Sequence, residues 1–215
     1  MRLEKNDKLV MIGDSITDCG RARPIGEGNT GPYGNGYVAL VDGLLKSVYP
    51  ELGIRVVNMG TSGNTVRDLA ARWQTDVLDL KPDWVSVMIG TNDVWRQYDQ
   101  PYLPELHVYP DEYESTLDSL VAKTLPAVKG IVLMTPFYLE PNRSDKMRAS
   151  MDRYGEIVRR AAQRHGTVFV DTQAAFDRML EHIYPAAIAW DRVHPSAAGH
   201  AALARAFLNA IGFQW

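Results

Sequence analysis

The chain has 215 residues, 46% hydrophobic and 23% charged, and its formal net charge of -3 argues against nucleic acid or an anionic membrane as a partner. Its single cysteine, Cys19, excludes an internal disulfide. No apolar run approaches the ~18 residues that span a bilayer, and the short apolar run near the start has no signal-peptide cleavage site. We therefore expect a cytoplasmic protein.

Strand-like and helix-like segments alternate along the chain. Short apolar runs that end at turn residues predict strands at 9–13, 54–58, 83–90, 130–135 and 167–171. Apolar residues at helical spacing predict a helix after each of these strands. Thr65 and Asp68 are spaced like a capping box, and Gly166 occupies a C-cap position. The longest predicted loops are 20–36, an aromatic loop at 91–109, and 184–194.

This alternation predicts the fold class. Five strands that are each followed by a helix indicate one parallel sheet with helices on both faces. We predict an α/β fold, a three-layer α/β/α sandwich with a five-stranded parallel sheet in the flavodoxin-like order 2-1-3-4-5. No linker, repeat or low-complexity segment interrupts the chain, so residues 1–215 are predicted to form a single domain.

Ser15 is the first candidate for chemistry, because it lies on the turn after the first predicted strand. Ligands of open α/β sheets bind beyond the carboxyl ends of the strands. A serine there is a nucleophile if the fold supplies a base and donors for an oxyanion. The simpler interpretation is that Ser15 caps the next helix. Cys19 is a weaker nucleophile candidate, since a small buried side chain explains it as well.

The missing parts of such a site occur elsewhere in the chain. His194 lies in the loop before the last helix, and Asp191, three residues upstream, is placed to hold its tautomer. Gly63 follows the second strand and Asn92 follows the third, and each offers an N–H donor. Each of these residues also has a plain interpretation as a turn or helix-start residue. Because Ser15 follows the first strand, a parallel sheet brings all three strand ends to one edge.

Cofactor and metal sites find little support. Residues 26–31 spell G-x-G-x-x-G, but they do not follow a strand directly, so the dinucleotide-binding context is absent. No pair of histidines has zinc-ligand spacing, and Cys19 has no partner cysteine. We expect no cofactor and no metal.

Four short blocks, in this order, resemble those of the GDSL esterases, also called SGNH hydrolases. The blocks are Gly13-Asp14-Ser15-Ile16, with Ile in place of the usual Leu, then Gly63, Gly90-Thr91-Asn92-Asp93 and Asp191-Arg192-Val193-His194-Pro195. The resemblance implies that Ser15 is the nucleophile, that His194 is general base and then acid, and that Asp191 orients it. It implies an oxyanion hole formed by the N–H groups of Ser15 and Gly63 and the Asn92 amide. It implies no metal or cofactor.

Within that family the chain is similar to small cytosolic carbohydrate acetylesterases of bacilli, the acetylxylan esterases in particular. The similar segments include GDSITDCGRARP, NDVWRQYD and AWDRVHPSAAGH. The resemblance implies a serine esterase that removes acetyl groups from carbohydrate esters, acetylated xylo-oligosaccharides in particular, through an acetyl-enzyme. The partner would be a small acetylated saccharide.

Aromatic residues near the predicted site fit a saccharide, because aromatic rings can stack on sugar rings. The candidates for substrate contact are Asp14, Trp95, Tyr98 and Trp190. The aromatic ones could instead pack the loop or a subunit interface. Aromatic residues at the ends of other elements also suggest a homo-oligomer.

Two other functions stay open at this stage. One is a broad short-chain GDSL lipase, esterase or thioesterase. The other is a carbohydrate-binding protein on a degenerate esterase fold. The intact set of Ser15, Asp191 and His194 argues against the second, since a binding module needs none of these residues.

Overall fold

A computed structural model of the chain describes residues 1–29 and 31–215. Its sheet consists of β1 (Lys8–Gly13), β2 (Arg55–Asn58), β3 (Trp84–Met88), β4 (Gly130–Met134) and β5 (Val168–Val170). The strands lie in the order β2-β1-β3-β4-β5, and every neighbouring pair is parallel. The predicted flavodoxin-like order is thereby confirmed. The order reverses beside β1, where α/β sheets of this kind bind ligands.

Helices cover both faces of the sheet. Those of the described residues are α1 (Ser15–Asp18), α2 (Tyr37–Val48), α3 (Val66–Trp73), α4 (Thr91–Asp99), α5 (Pro110–Thr124), α6 (Lys146–His165), α7 (Thr172–Leu180), α8 (Pro185–Ile188) and α9 (Ala197–Ala210). The helices α3, α5 and α6 pack side by side, whereas α2 and α7 pack against α9. Right-handed crossovers place these two groups on opposite faces, which makes three layers. Within the described ranges, no helix has the length and apolar character needed to cross a membrane.

The central strand shows why this sequence forms a sandwich. Leu9, Val10, Met11 and Ile12 are all fully buried, as expected for a strand covered by helices on both faces. Two predicted helix ends are also confirmed. Thr65 and Asp68 form a capping box at the start of α3, and Gly166 ends α6 in the left-handed conformation that favours glycine.

The predicted loop at 91–109 is wrong over its first half, which forms α4. Thr91, Asn92 and Asp93 look like a surface turn in the sequence, yet all three are buried together with Val94. They are buried because α4 packs against α6 and carries its polar first turn into the sheet edge. The loop at 184–194 likewise contains α8.

The segment that spells G-x-G-x-x-G includes Thr30, which lies outside the described residues. Of the rest, Gly26 forms an isolated antiparallel bridge with Asn58 at the end of β2. The helix that follows, α2, begins only at Tyr37. A dinucleotide-binding loop opens directly into a helix, whereas α2 begins well beyond Gly31.

Candidate active site

A chain of hydrogen bonds connects Ser15, His194 and Asp191. Ser15 is the first residue of α1, directly after β1, and its Oγ lies 2.8 Å from His194 Nε2. His194 Nδ1 lies 2.6 Å from Asp191 Oδ2. Because an ionised carboxylate only accepts, Nδ1 carries the proton, and Nε2 is left to accept the serine hydroxyl. The contact predicted between Ser15 and His194 is present.

The turn at 191–194 holds the imidazole in this orientation. Asp191 Oδ1 accepts the backbone N–H groups of Val193 at 3.0 Å and His194 at 2.8 Å, while Oδ2 bonds the ring. Burial alone would raise the pKa of Asp191. The hydrogen bonds from the His194 ring and from the two N–H groups outweigh burial, so the pKa lies below its usual value. Asp191 is therefore an anionic acceptor at neutral pH.

The pair at the centre of the site is open to solvent. The side chain of His194 is 42% exposed. The ring of Trp95, on α4, leans against it with 5.8 Å between the ring centroids. A bulky molecule can therefore reach Ser15 across a surface bordered by an aromatic ring.

Two backbone N–H groups, in the turns after β1 and β2, are available as donors. Gly63, in the turn after β2, has φ +83°, a conformation that favours glycine, and nothing lies within 4 Å of where a Cβ would be. Within residues 1–29 and 31–215, the N–H groups of Ser15 and Gly63 have no protein acceptor. Such unpaired N–H groups are what an oxyanion hole requires.

Asn92 adds a side-chain donor. Its Nδ2 donates to the backbone oxygen of Asn64 at 2.9 Å, which ties the amide to the residue next to Gly63. Its Oδ1 accepts from Arg96 Nη2 at 3.1 Å. An amide NH₂ has two hydrogens. One is therefore left for a ligand beside the Gly63 turn.

Backbone hydrogen bonds keep the ends of β1 and β2 together. The N–H of Thr61 donates to Gly13 O at 3.0 Å, one residue before Asp14. Arg72, on α3, donates to Gly13 O at 3.0 Å and to Met59 O at 2.7 Å, and its Nε donates to Asn64 Oδ1 at 2.7 Å. One guanidinium thus fixes both turns that carry the candidate donors.

Asp18 links the helix of Ser15 to the turn of Gly63. Its Oδ2 accepts the N–H of Ser62 at 3.1 Å and the Ser62 hydroxyl at 3.0 Å, and it pairs with Arg23 at 2.6 Å. The two segments are in tight contact, since a Cβ on Gly60 would lie only 2.2 Å from Asp18 N. Sequence reasoning missed both Asp18 and Arg72, because a polar side chain on a helix is usually a surface residue and nothing in its spacing marks such a link.

The predicted substrate contacts differ in their surroundings. Asp14 is only 1% exposed, and its Oδ1 caps α1 by accepting the N–H of Ile16 at 2.9 Å. An aspartate beside a nucleophile looks accessible in the sequence, but this carboxylate points into the helix start. Trp95 lies against His194, and Trp190 is 81% exposed. The hydroxyl of Tyr98 is engaged with α6, where it bonds Lys146 O and Ser150 Oγ.

Cys19 is not a competing nucleophile. Its thiol is half-buried, and its Sγ lies 3.3 Å from the oxygen of Ile16. Burial, with Asp18 and Asp14 nearby, raises the pKa of the thiol to about 12. Since the thiolate is the reactive form, Cys19 is inert at neutral pH.

Asp93, next to Asn92, is a fully buried carboxyl group. Its Oδ1 accepts the N–H of Val66 at 2.9 Å at the start of α3, whereas Oδ2 has no partner among the described residues. Burial raises its pKa to about 8, and burial also raises the pKa of Asp14 to about 6. Asp93 is therefore largely protonated at neutral pH and connects α4 to α3 as a neutral group.

We expect the stability of the protein to depend on pH through Asp93. The folded state keeps a proton that the unfolded chain releases near pH 4, so the free energy of unfolding should fall as the pH rises from about 4 to about 8. Asp93→Asn keeps the shape and the acceptor for Val66 but cannot ionise. Denaturant unfolding measures the effect. The free energy of unfolding of Asp93→Asn minus that of wild type should be larger at pH 8 than at pH 5.

Asp111→Asn is the control for this measurement, since Asp111 is exposed in the first turn of α5. The free energy of unfolding of this variant should differ from that of wild type by a similar amount at both pH values. If the free energy of unfolding of Asp93→Asn minus that of wild type is no larger at pH 8 than at pH 5, Asp93 is not a buried protonated carboxyl.

Known proteins are similar to this chain over its full length. The model of the GDSL-like lipase/acylhydrolase family matches residues 11–202. An acetylxylan esterase of Geobacillus stearothermophilus is 66% identical over 215 residues, which are 100% of this chain and 98% of that protein. The crystal structure of Axe2, an acetylxylan esterase from the same organism, has a TM-score of 0.99 and covers 100% of this chain and 98% of its own.

Further solved structures match over nearly the whole chain. LAE5, an alpha/beta hydrolase from the metagenome of Lake Arreo, Spain, is 58% identical with a TM-score of 0.96 and covers 99% of this chain and 98% of its own. Three catalytic mutants of Axe2, S15A, D191A and H194A, each match with a TM-score of 0.99. The family model and the relative that matches the full chain show that this chain belongs to the GDSL-like lipase/acylhydrolase family.

Proposed function

We propose that this protein is a serine esterase that removes acetyl groups from carbohydrate esters, acetylated xylo-oligosaccharides in particular. The observation that carries the proposal is the hydrogen-bond chain from Ser15 Oγ through His194 to Asp191. Support for the substrate class comes from a relative named acetylxylan esterase that is 66% identical over the full chain. A carbohydrate-binding protein would need no base aligned on a hydroxyl.

The first half of the reaction forms an acetyl-enzyme. His194 Nε2 takes the proton of Ser15 as Oγ attacks the acetyl carbonyl, and Asp191 stabilises the imidazolium through Nδ1–H. The carbonyl oxygen becomes an oxyanion, which accepts the N–H groups of Ser15 and Gly63 and the second hydrogen of Asn92 Nδ2. The intermediate collapses, and the sugar oxygen leaves with the proton from His194.

The second half returns the enzyme to its starting state. Water takes the place of the sugar, gives a proton to His194 Nε2 and attacks the acetyl carbonyl of the acyl-serine. The same donors hold the second oxyanion. Acetate leaves as Ser15 Oγ recovers its proton from His194, so each cycle consumes one water and one ester.

The surroundings of Ser15 suit a short acyl group on a sugar. The contacts of Ser15 and His194 described above are polar or aromatic, whereas a long acyl chain would call for an aliphatic groove. The exposed imidazole leaves room for a saccharide, and the ring of Trp95 lies against the imidazole. Aromatic faces of this kind give large contact area to a sugar ring.

A substrate panel tests the proposal. We expect kcat/KM for p-nitrophenyl acetate to exceed that for the butyrate and octanoate, and acetate to be released from acetylated xylo-oligosaccharide. Ser15→Ala, run on every substrate, gives the background rate. A preference for octanoate would favour the lipase alternative, and faster hydrolysis of an acyl thioester would favour a thioesterase. Binding of the oligosaccharide without hydrolysis of any ester would favour the carbohydrate-binding protein.

Three further features belong to this proposal. A single domain over residues 1–215 is supported by the one sheet and the one hydrophobic cluster that the described residues form. A homo-oligomer is supported by the exposed rings of Tyr184, Trp190 and Trp215, and light scattering of the purified protein would measure it. A cytoplasmic location stays a prediction.

A further inference from the structure

The two ends of the Asn92 side chain have different neighbours, and only one orientation of the amide satisfies both. Nδ2 faces the oxygen of Asn64 at 2.9 Å, and Oδ1 faces the guanidinium of Arg96 at 3.1 Å. In the flipped orientation, Oδ1 would meet a carbonyl oxygen and the NH₂ group would meet the N–H groups of Arg96. Two acceptors and two donors would then face each other.

Arg96 contributes more than Asn64 to fixing this orientation of the Asn92 amide. The oxygen of Asn64 accepts from Nδ2 as an uncharged group, whereas the guanidinium donates to Oδ1 as a cation, and charge-assisted hydrogen bonds are the stronger kind. Arg96 lies four residues after Asn92 on α4, so both side chains lie on the same face of the helix. Its positive charge also polarises the amide, which makes the free N–H of Asn92 a better donor.

The guanidinium is itself held in place. Nη1 is paired with Asp99, and the group lies over the ring of Trp95 with 5.0 Å between Cζ and the ring centroid. The side chain is 21% exposed, which is low for an arginine on a surface helix. The same Trp95 ring also lies against His194, with 5.8 Å between the ring centroids. Arg96 is therefore a fixed part of the site rather than a mobile surface charge.

We propose that Arg96 is a positioning residue for ester hydrolysis: its guanidinium fixes the Asn92 amide with Nδ2 turned toward the developing oxyanion. The inference rests on the proposed function and adds a residue to it that touches no reacting atom. Its effect should appear only where Asn92 acts, in the transition state, and should therefore lower kcat and leave KM nearly unchanged.

The test is a double-mutant cycle on p-nitrophenyl acetate. Arg96→Ala should lower kcat by about 10-fold to 100-fold, less than the loss of an oxyanion donor itself. In the background of Asn92→Ala, Arg96→Ala should lower kcat by less than about 3-fold, because no amide is left to orient. Arg96→Lys should fall between wild type and Arg96→Ala, since an ammonium supplies the charge without the planar fork.

Arg160→Ala is the matched control, an arginine of α6 that is 45% exposed and paired with Glu114. It should keep wild-type kcat. Thermal unfolding checks that each variant folds. Should Arg96→Ala fail to fold, Arg96→Met, which keeps an unbranched apolar side chain over the Trp95 ring but has no N–H donor for Asn92 Oδ1, gives the same comparison.

The outcomes separate this inference from the function on which it rests. If Ser15→Ala keeps wild-type activity, the proposed esterase mechanism is wrong. If Asn92→Ala costs two orders of magnitude while Arg96→Ala stays near wild type, the mechanism stands and the role of Arg96 is overturned. An equal loss from Arg96→Ala in both backgrounds, or a rise in KM with unchanged kcat, would also overturn it.

Discussion

Ser15→Ala should reduce kcat for p-nitrophenyl acetate by roughly 10⁶-fold, the loss seen when a serine nucleophile is removed from a working triad. The side chain of Ser15 is hydrogen-bonded to His194, and its backbone begins α1 through the cap that Asp14 provides. Since neither the cap nor the core depends on the hydroxyl, the variant should unfold within a few degrees of wild type. Stopped-flow kinetics and thermal unfolding measure the two quantities.

Ser47→Ala is the control, because Ser47 is an exposed serine of α2 whose hydroxyl donates to Leu44 O. It should keep full activity. A serine-directed organophosphonate should label wild type and Ser47→Ala but not Ser15→Ala. Turnover near the wild-type rate in Ser15→Ala would exclude Ser15 as the nucleophile, and labelling of that variant would point to a different serine.

Asn92→Ala should lower kcat by about 10²-fold to 10³-fold, the range for loss of one oxyanion donor. The physical reason is that the carbonyl oxygen of the ester gains full negative charge only in the transition state. KM should therefore change little. Steady-state kinetics on p-nitrophenyl acetate and on acetylated xylo-oligosaccharide should give the same loss, because the donor acts on the acetyl group common to both.

Asn92→Ala also removes the bond from Nδ2 to Asn64 O, which could loosen the Gly63 turn. Asn92→Asp separates the two effects, since it keeps the shape and the acceptor for Arg96 but has no N–H to offer an oxyanion. It should lose at least as much kcat as the alanine variant. Asn142→Ala, at an exposed asparagine, is the control. A loss of only a few-fold in both Asn92 variants would remove Asn92 from the oxyanion hole.

The strands and their order were predictable because they depend on patterns that the chain shows locally. Each strand is an apolar run that ends at a turn residue, and parallel order follows once helices alternate with strands. Ser15 and His194 were predictable for a related reason: each follows a recognisable element. Their hydrogen bond spans 179 positions, and no spacing along the chain encodes it.

The parts that were not predictable depend on side chains that cross between elements. The first turn of α4 was missed because Thr91 to Asp93 are polar yet buried by tertiary packing, which overrides local preference. Had α4 been predicted, the four-residue spacing of Asn92 and Arg96 would have suggested their contact. Asp18 and Arg72 offered no such signal. The direction of the Asp14 carboxylate was not predictable either, because it depends on which N–H groups the carboxylate caps.

The site has two parts that differ in how tightly they are packed. We call them the floor, where Gly60 and Asp18 are in tight contact, and the more exposed rim. The floor consists of the turns after β1 and β2, where a Cβ on Gly60 would lie 2.2 Å from Asp18 N and a Cβ on Gly13 would lie 2.3 Å from Met88 O. A larger residue at Gly13 or Gly60 would displace the turns that carry Ser15 and Gly63. The rim includes Trp190, which is next to Asp191 in the chain and is 81% exposed. We therefore expect a change of side chain at Trp190 to leave the turns of Ser15 and Gly63 in place, whereas a larger residue at Gly13 or Gly60 would displace them.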